Sequence, residues 1–397
     1  MKKKTKLIVN NNDDKKAGFE ISKQFKQFNQ INDIFSRAFW DKTIKTKNSD
    51  DFFLSYRKQP KSKDSIGFQQ KDFALRNSSW AISDIFSNRS MKKGKREGFQ
   101  SLMGNSTPIS KDRLEINDII KFTLELKSIA KLFGADLVGI TKIDERWHYS
   151  HRVDTNNYKA VKNHIPKTLK FVIVLGHSMN KNLVDTYPSA LAGAGTGLEY
   201  SREASIVTQL CSYIKGLGYN ALGSMNDSAL VIPYAIKAGL GEYGRNQMVI
   251  TPEFGPRIRF SKIFTEIPLS IDNPINFGVQ KFCNICDKCA QACPPKALPF
   301  GKPNFTNQSL SNISGVKKWT ANCEKCFEYW TKIKTDCAIC MRVCPFNRDF
   351  KSLEGKIFWK IATSFFRKFA LWWDQNILSS KRIKPNLWWE TIFKEYL

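Results

Sequence analysis

Nine of the ten cysteines fall between Cys283 and Cys344. Cys283, Cys286, Cys289 and Cys293, followed by Pro294, spell CxxCxxCxxxCP, a run that holds 4Fe–4S clusters. Three thiolates two residues apart can wrap one face of a cubane, while the fourth, set off by a chain-turning proline, reaches a second cluster. A partner motif is therefore expected, and Cys337, Cys340 and Cys344 before Pro345 repeat CxxCxxxCP. The remaining ligand is Cys323 or Cys326. Cys326 is preferred because it opens the stretch Cys326-Phe327-Glu328-Tyr329-Trp330, whose aromatics can seal a cluster from water. Cross-ligation then predicts Cys283, Cys286, Cys289 and Cys344 on one cluster and Cys293, Cys326, Cys337 and Cys340 on the other. Two structural zinc sites are the competing reading, although a three-ligand run ending in Cys-Pro is unusual for zinc. Cys211, alone on an apolar helical face, reads as a packing residue.

Clusters alone move electrons and do no chemistry on a stable substrate, so the large region before them is expected to hold a second cofactor. GxGxxG, a P-loop and CxxCH are all absent, and His148, His151, His164 and His177 form no metal-binding pattern. Nicotinamide in a Rossmann site, covalent haem and catalytic zinc lose support accordingly.

The elements that must carry this chemistry are legible from periodicity. Ile119, Ile120, Phe122, Leu126, Ile129 and Leu132 give a helical stripe ending at Gly134. Asp136 to Thr141 and Phe171 to Leu175 read as strands, the second of buried type. A helix is expected over 199–217, a strand over 219–223, a helix over 228–238 and a strand pattern from Ile258 to Ile263. Helices alternating with apolar strands predict an α/β core over 113–275. Residues 276–350 form the double-cluster segment. Residues 1–112 have isolated aromatics without a sustained period and suit a basic extension wrapped over a domain, with the first 15 residues disordered. Residues 351–397 read as an aromatic, basic helix that packs on its own domain or lies on a membrane or partner.

The chain has 397 residues and a formal charge of +27. The excess is distributed as about +12 before residue 131, +4 to residue 280 and +11 beyond, leaving the expected chemical core nearly neutral. Such a charge suits an acidic partner, an anionic surface or nucleic acid. No apolar run is long enough to span a bilayer, and the basic start (Met1 to Lys6) shows neither an apolar signal region nor a twin-arginine pair, so a cytoplasmic location is expected. A truncated start with a peripheral seat on the cytoplasmic membrane is the alternative.

The order of motifs then becomes recognisable. Ala238-Gly239-Leu240-Gly241-Glu242-Tyr243-Gly244-Arg245, Ile250 to Arg259, Thr265 to Leu269 and the segment from Phe282 to Pro345 resemble the corrinoid-dependent reductive dehalogenases. So do Tyr187-Pro188-Ser189 through Glu199-Tyr200 and Lys215 to Ala221; together these cover roughly residues 115 to 375. The resemblance implies a nitroreductase-like corrinoid-binding core followed by a bacterial ferredoxin-like double-cluster domain. It implies two 4Fe–4S clusters, a cobamide, a small organohalide substrate and an external low-potential electron donor. It also places a tyrosine acid, an asparagine and a cation at Tyr200, Asn226 and Arg259, with Lys262 and Arg257 as reserves for the cation. The implied chemistry needs such a group: a carbon stripped of halide must be protonated, and a phenol is a weak acid unless a cation stabilises its anion.

The bland alternatives are a helix-terminal aromatic for Tyr200, a turn or cap for Asn226 and a surface strand residue for Arg259. Two other functions compete. Epoxyqueuosine reductases share the corrinoid core and paired clusters but act on tRNA; their acid motif around Asp-Tyr-His is replaced here by Leu198-Glu199-Tyr200-Ser201. The third reading is a non-catalytic electron carrier. No nucleic-acid partner is expected, and a homodimer is compatible with the sequence.

Overall fold

The computed structural model describes residues 11–56, 58, 65–86, 107–154, 157–378 and 382–396. Its strands are β1 (Leu137–Lys142), β2 (His151–Asp154), β3 (Lys159–Lys162), β4 (Phe171–Ser178), β5 (Ala221–Ser224), β6 (Glu242–Tyr243), β7 (Val249–Ile250) and β8 (Ile258–Thr265). The central sheet runs β1-β4-β8-β5 and every neighbouring pair is antiparallel. The helix–strand alternation that reads as α/β therefore belongs to a mixed helix–sheet fold with an antiparallel sheet. Periodicity cannot report strand direction, and the link from β1 to β4 runs through the β2–β3 hairpin instead of a crossover helix.

Both faces of the sheet are covered, which is why β4 reads as a continuous apolar run. Ile173 and Leu175 join Ile140, Ile263 and the helical residues Ala204, Val207, Leu210 and Ile214, while Val172 and Val174 pack with Phe264, Tyr234 and Ala235. The first face is closed by a 27-residue helix, Ala190–Gly216, capped by the Ser189 side chain accepting from the Ala192 amide. This helix starts earlier than its apolar stripe predicts because its first turns are glycine-rich, a poor helix composition imposed by packing. A Cβ on Gly193 would lie 2.5 Å from Asp336 Oδ1, and one on Gly197 2.0 Å from Ser79 Oγ. The cluster segment and the N-terminal segment meet the helix at these two positions.

The N-terminal expectation needs correction. Residues 1–10 of the stretch expected to be disordered lie outside the described residues, but Asn12–Lys16 is a helical turn whose Asp14 is fully buried. Asp14 meets Arg146 at 2.8 Å and Lys237 at 3.3 Å, and Asp144 pairs with the same two cations at 2.6 and 2.7 Å. Further on, Ile34–Trp40, Lys47–Leu54, Gln70–Ser79 and Ala81–Phe86 are helices that place Phe52, Phe53, Tyr56 and Trp80 in the core shared with the sheet. Short helices contribute one or two aromatics each, so no long period is visible in the sequence.

The tail is three helices and not one: Leu353–Thr363, Arg367–Asn376 and Pro385–Tyr396. Phe358 and Ala362 pack with Phe282 and Phe346, and Trp388 packs with Leu183, Leu191 and Ala194. Among the described residues no helix is long and apolar enough to cross a membrane.

Candidate active site and cluster cradle

Tyr200, Asn226 and Arg259 come from three different elements and converge on one atom. Tyr200 projects from the long helix, Asn226 sits in the loop after β5, and Arg259 lies in β8 on the face shared with Ile263. Asn226 Nδ2 and Arg259 Nη2 each donate to the Tyr200 phenol oxygen at 2.6 Å. The guanidinium also lies 4.3 Å from the ring centroid, and Trp80 stacks on the ring at 4.7 Å with a 24° interplanar angle. Tyr200 is buried, and burial pushes its pKa up although Arg259 and the two hydrogen bonds work to lower it. Burial opposes the charge on Arg259 in turn, but Tyr200 and Glu203 more than offset that penalty, so the guanidinium stays charged.

Asn226 is fixed by its backbone: its carbonyl accepts from Gln30 Nε2 at 3.0 Å and from the Tyr149 hydroxyl at 3.3 Å. Next to it, buried Asp227 accepts from Ser224 Oγ at 2.9 Å and the Met225 amide at 2.8 Å, closing the turn. The reserve cations point elsewhere. Lys262, fully buried and pushed down to about 8 by that burial, donates to the Met225 carbonyl at 2.6 Å. Arg257 donates to the carbonyls of Met179 at 3.0 Å and Arg348 at 3.2 Å.

Sequence reasoning did not assign Trp80, Gln30 or Glu199 to this site. Trp80 and Gln30 lie far away in the chain and carry no local signal. Glu199 is buried beside Tyr200, and desolvation pushes its carboxyl up to about 7 despite Arg202 Nη1 at 2.8 Å.

Asn226 opens onto a cavity of about 560 Å³ whose walls include Tyr149, Ala229, Tyr243, Lys318, Trp319 and Cys323. Its size and largely apolar lining, in which Glu20 and Asp33 balance Lys317 and Lys318, suit a large organic cofactor. Tyr243 and Trp319 belong at the same time to the apolar cluster of Cys283, Cys286 and Cys344, so this space lies between the tyrosine site and the cysteines.

The structure brings the eight expected ligand cysteines close together, with Cys289 shared between two packed sets. Cys283, Cys286, Cys289 and Cys344 surround a small space with Pro345 and Phe346, and all four are buried. Arg245 braces this cradle, donating to the carbonyls of Cys283 at 2.7 Å and Cys286 at 2.9 Å and to those of Pro299, Phe300 and Gly301. Cys326 and Cys340 pack with Cys293, Ala297 and Leu298, and Cys337 lies within electrostatic reach of Cys293, Cys326 and Cys340. The Ala297 amide donates to Cys293 Sγ at 3.3 Å. Burial pushes Cys286 up to about 11 and Cys289 and Cys337 up to about 12, so only a bound cationic core would hold these sulfurs as thiolates. Among the described residues no three His, Cys, Asp or Glu side chains gather closely enough for a single metal ion.

Cys323 is in neither packed set, though it lies within electrostatic reach of Cys326. It accepts from Asn312 Nδ2 at 3.3 Å and lines the large cavity. Asp336, immediately before Cys337, accepts from the Tyr187 hydroxyl and Thr196 Oγ1, both at 2.7 Å. Thr196 is one helical turn before Tyr200, so one buried carboxylate ties the cysteine segment to the helix carrying the phenol.

The sequence model of the reductive dehalogenase subunit family matches residues 143–269. The tetrachloroethene reductive dehalogenase of Sulfurospirillum multivorans is 34% identical over 286 residues, covering 65% of this chain and 57% of that protein. An epoxyqueuosine reductase of Lactococcus garvieae is 30% identical over 138 residues, or 34% of this chain and 37% of its own length. The solved structure of a reductive dehalogenase, described as suggesting a mechanism for B12-dependent dehalogenation, matches with a TM-score of 0.68 at 22% identity. That match covers 90% of this chain and 47% of the other, and it is a likeness of fold. The chain spans about half the length of the curated dehalogenases it matches.

Proposed function

We propose that this chain is a reductive dehalogenase, as its similarity to that family suggests, and that it removes halide from a small organohalide with electrons passed through two 4Fe–4S clusters to a corrinoid. In this reading the sheet and long helix form a nitroreductase-like core, and residues 276–350 form a ferredoxin-like domain. The observation that carries it is the convergence of Asn226 and Arg259 on the Tyr200 oxygen at the edge of a cavity that adjoins the cysteine groups. Cys283, Cys286, Cys289 and Cys344 would hold one cluster and Cys293, Cys326, Cys337 and Cys340 the other. A corrinoid held in the cavity would supply the reducing equivalents needed to break the carbon–halogen bond.

The chain's own groups then handle the proton. Net reduction consumes two electrons and one proton, exchanges the carbon–halogen bond for carbon–hydrogen and releases halide. Tyr200 delivers the proton from its phenol oxygen. Arg259 neutralises the phenolate left behind, and Asn226 fixes the direction of the oxygen by a neutral hydrogen bond. Trp80, stacked on the ring, keeps water from that face. Arg259 is placed to act because its bond to the oxygen is already made, so stabilising the anion requires no rearrangement. A separate low-potential donor supplies the electrons. The epoxyqueuosine reductase likeness covers about a third of the chain and brings no observation that favours tRNA as substrate.

The test is anaerobic reconstitution of the full chain with iron, sulfide and a cobamide, followed by metal analysis, EPR and halide release driven by titanium(III) citrate. About eight irons and one cobalt per chain are expected, with halide release from some organohalide. Protein that binds no cobamide, or that turns over epoxyqueuosine tRNA without releasing halide, would overturn the proposal.

A further inference from the structure

We propose that the corner between the helices Leu353–Thr363 and Arg367–Asn376 is a seat for an anionic lipid surface. Phe365 is 87% exposed and Phe366 69%, and Phe369 and Trp372 on the following helix are each 50% exposed. Phe365 and Phe366 lie edge to face at 6.2 Å, and Phe369 and Trp372 stack at 5.7 Å with 26° between their planes, so two exposed aromatic pairs sit on adjoining segments of the corner. An aromatic patch of this kind on a folded surface marks an interaction site.

The projection is rigidly mounted. Behind it, Phe358, Ala362 and Ala370 are buried with Phe282 and Phe346. Asp374, on the buried side of the second helix, pairs with both Lys288 and Arg348. The rings therefore stay outward because the opposite faces of both helices are committed to the interior.

The charge around the corner identifies the occupant. Lys356, Lys360 and Lys368 are exposed, and none of them makes a salt bridge among the described residues. Two of the nearby carboxylates are already neutralised, Glu354 by Arg348 at 3.1 Å and Asp374 as above, while Asp349 makes no salt bridge among the described residues. Exposed aromatics, with lysines that make no salt bridge among the described residues on the same two helices, match the boundary between acyl chains and anionic headgroups, with shallow insertion by a helix pair too short to span. A second copy of this chain fits poorly, because a two-fold contact through the corner would bring the lysines of the two copies together. The inference stands on the surface alone and does not depend on dehalogenation.

The experiment is flotation of the cluster-loaded full chain with vesicles of phosphatidylcholine alone or with one third phosphatidylglycerol. Binding is expected only with phosphatidylglycerol, weakened by salt near ~0.5 M. Phe365→Ser combined with Phe366→Ser should lower partitioning by about ten-fold, and Lys360→Glu combined with Lys368→Glu should abolish the lipid selectivity. The cluster absorbance and circular dichroism of each variant report that it is folded. Failure of the parent protein to float, or equal flotation of the folded variants, would overturn the proposal. So would sedimentation showing a dimer that only the aromatic substitutions dissolve.

Discussion

Arg259 engages Tyr200 in two ways at once: its Nη2 donates to the phenol oxygen at 2.6 Å while its guanidinium carbon lies 4.3 Å from the ring centroid. The cation is thus close to both the oxygen and the π-face, and it remains a neighbour whether the phenol is neutral or ionised. If the phenol is the proton source, Tyr200→Phe removes the transferable proton while leaving the stack with Trp80 intact. Halide release with titanium(III) should fall by about 10²- to 10⁴-fold, with iron content and EPR signals unchanged. Retention of near-parental rates would remove Tyr200 from the mechanism.

The pH dependence follows from the same geometry. Burial raises the Tyr200 pKa above that of an ordinary phenol despite Arg259, so the acid form persists through neutral and mildly alkaline solution. The rate should therefore stay level through the neutral range and decline only above about 10. Arg259→Gln removes the group that lowers the phenol pKa, so the alkaline limb should move higher still. The plateau should meanwhile drop by about 10²-fold because the phenolate loses its counter-charge. A pH–rate series on both proteins checks the two effects separately.

The cross-ligation that the cysteine motifs predict can be tested directly by substitution. Cys293 belongs to the first run in the sequence but packs with Cys326 and Cys340. Cys293→Ser should perturb the same cluster signal as Cys337→Ser, whereas Cys344→Ser should perturb that of Cys283→Ser. Cys323→Ser should leave about eight irons bound. Iron analysis with EPR of the four ligand variants and Cys323→Ser decides the pairing.

The ionic knot of Asp14, Arg146, Asp144 and Lys237 should anchor the N-terminal segment. Asp14→Asn leaves two cations facing one carboxylate in a buried setting and should destabilise the fold by about 3–5 kcal/mol. Burial works to raise the Asp144 pKa, but the bonds from Arg146 and Lys237 prevail and bring it down from 3.8 to about 2. Its stabilisation is therefore complete above pH 3.8 and disappears as pH falls toward about 2. Urea unfolding at neutral pH and between pH 4 and 2 should show the loss in Asp14→Asn and a shallower acid limb in Asp144→Asn.

The clustering of the cysteines was legible from their short, fixed spacings, and Tyr200 and Arg259 because each closes a recognisable motif, whereas Asn226 lies between motifs and was placed only by their context. The antiparallel sheet was not, since β1 and β4 have the same apolar patterns in either direction. The contribution of residues 11–86 was also hidden. Trp80 reaches Tyr200, Gln30 reaches the Asn226 carbonyl and Arg76 reaches the Lys334 carbonyl, all across long separations that leave no local period. Glycines 193 and 197 were legible only as poor helix formers, because the neighbours that require them are Asp336 and Ser79, distant in sequence.

Arg76 has a consequence for where this protein can be divided. Its buried guanidinium donates to the carbonyls of Ser55 and Lys334 and lies 3.9 Å from the Tyr56 ring centroid, stitching an early helix to the loop just before Cys337. A polypeptide begun at residue 113 would lack this stitch and would expose the socket that Trp80 fills over Tyr200. The minimal folding unit therefore begins well before the sheet, and truncation at that apparent boundary should yield insoluble material instead of a smaller working enzyme.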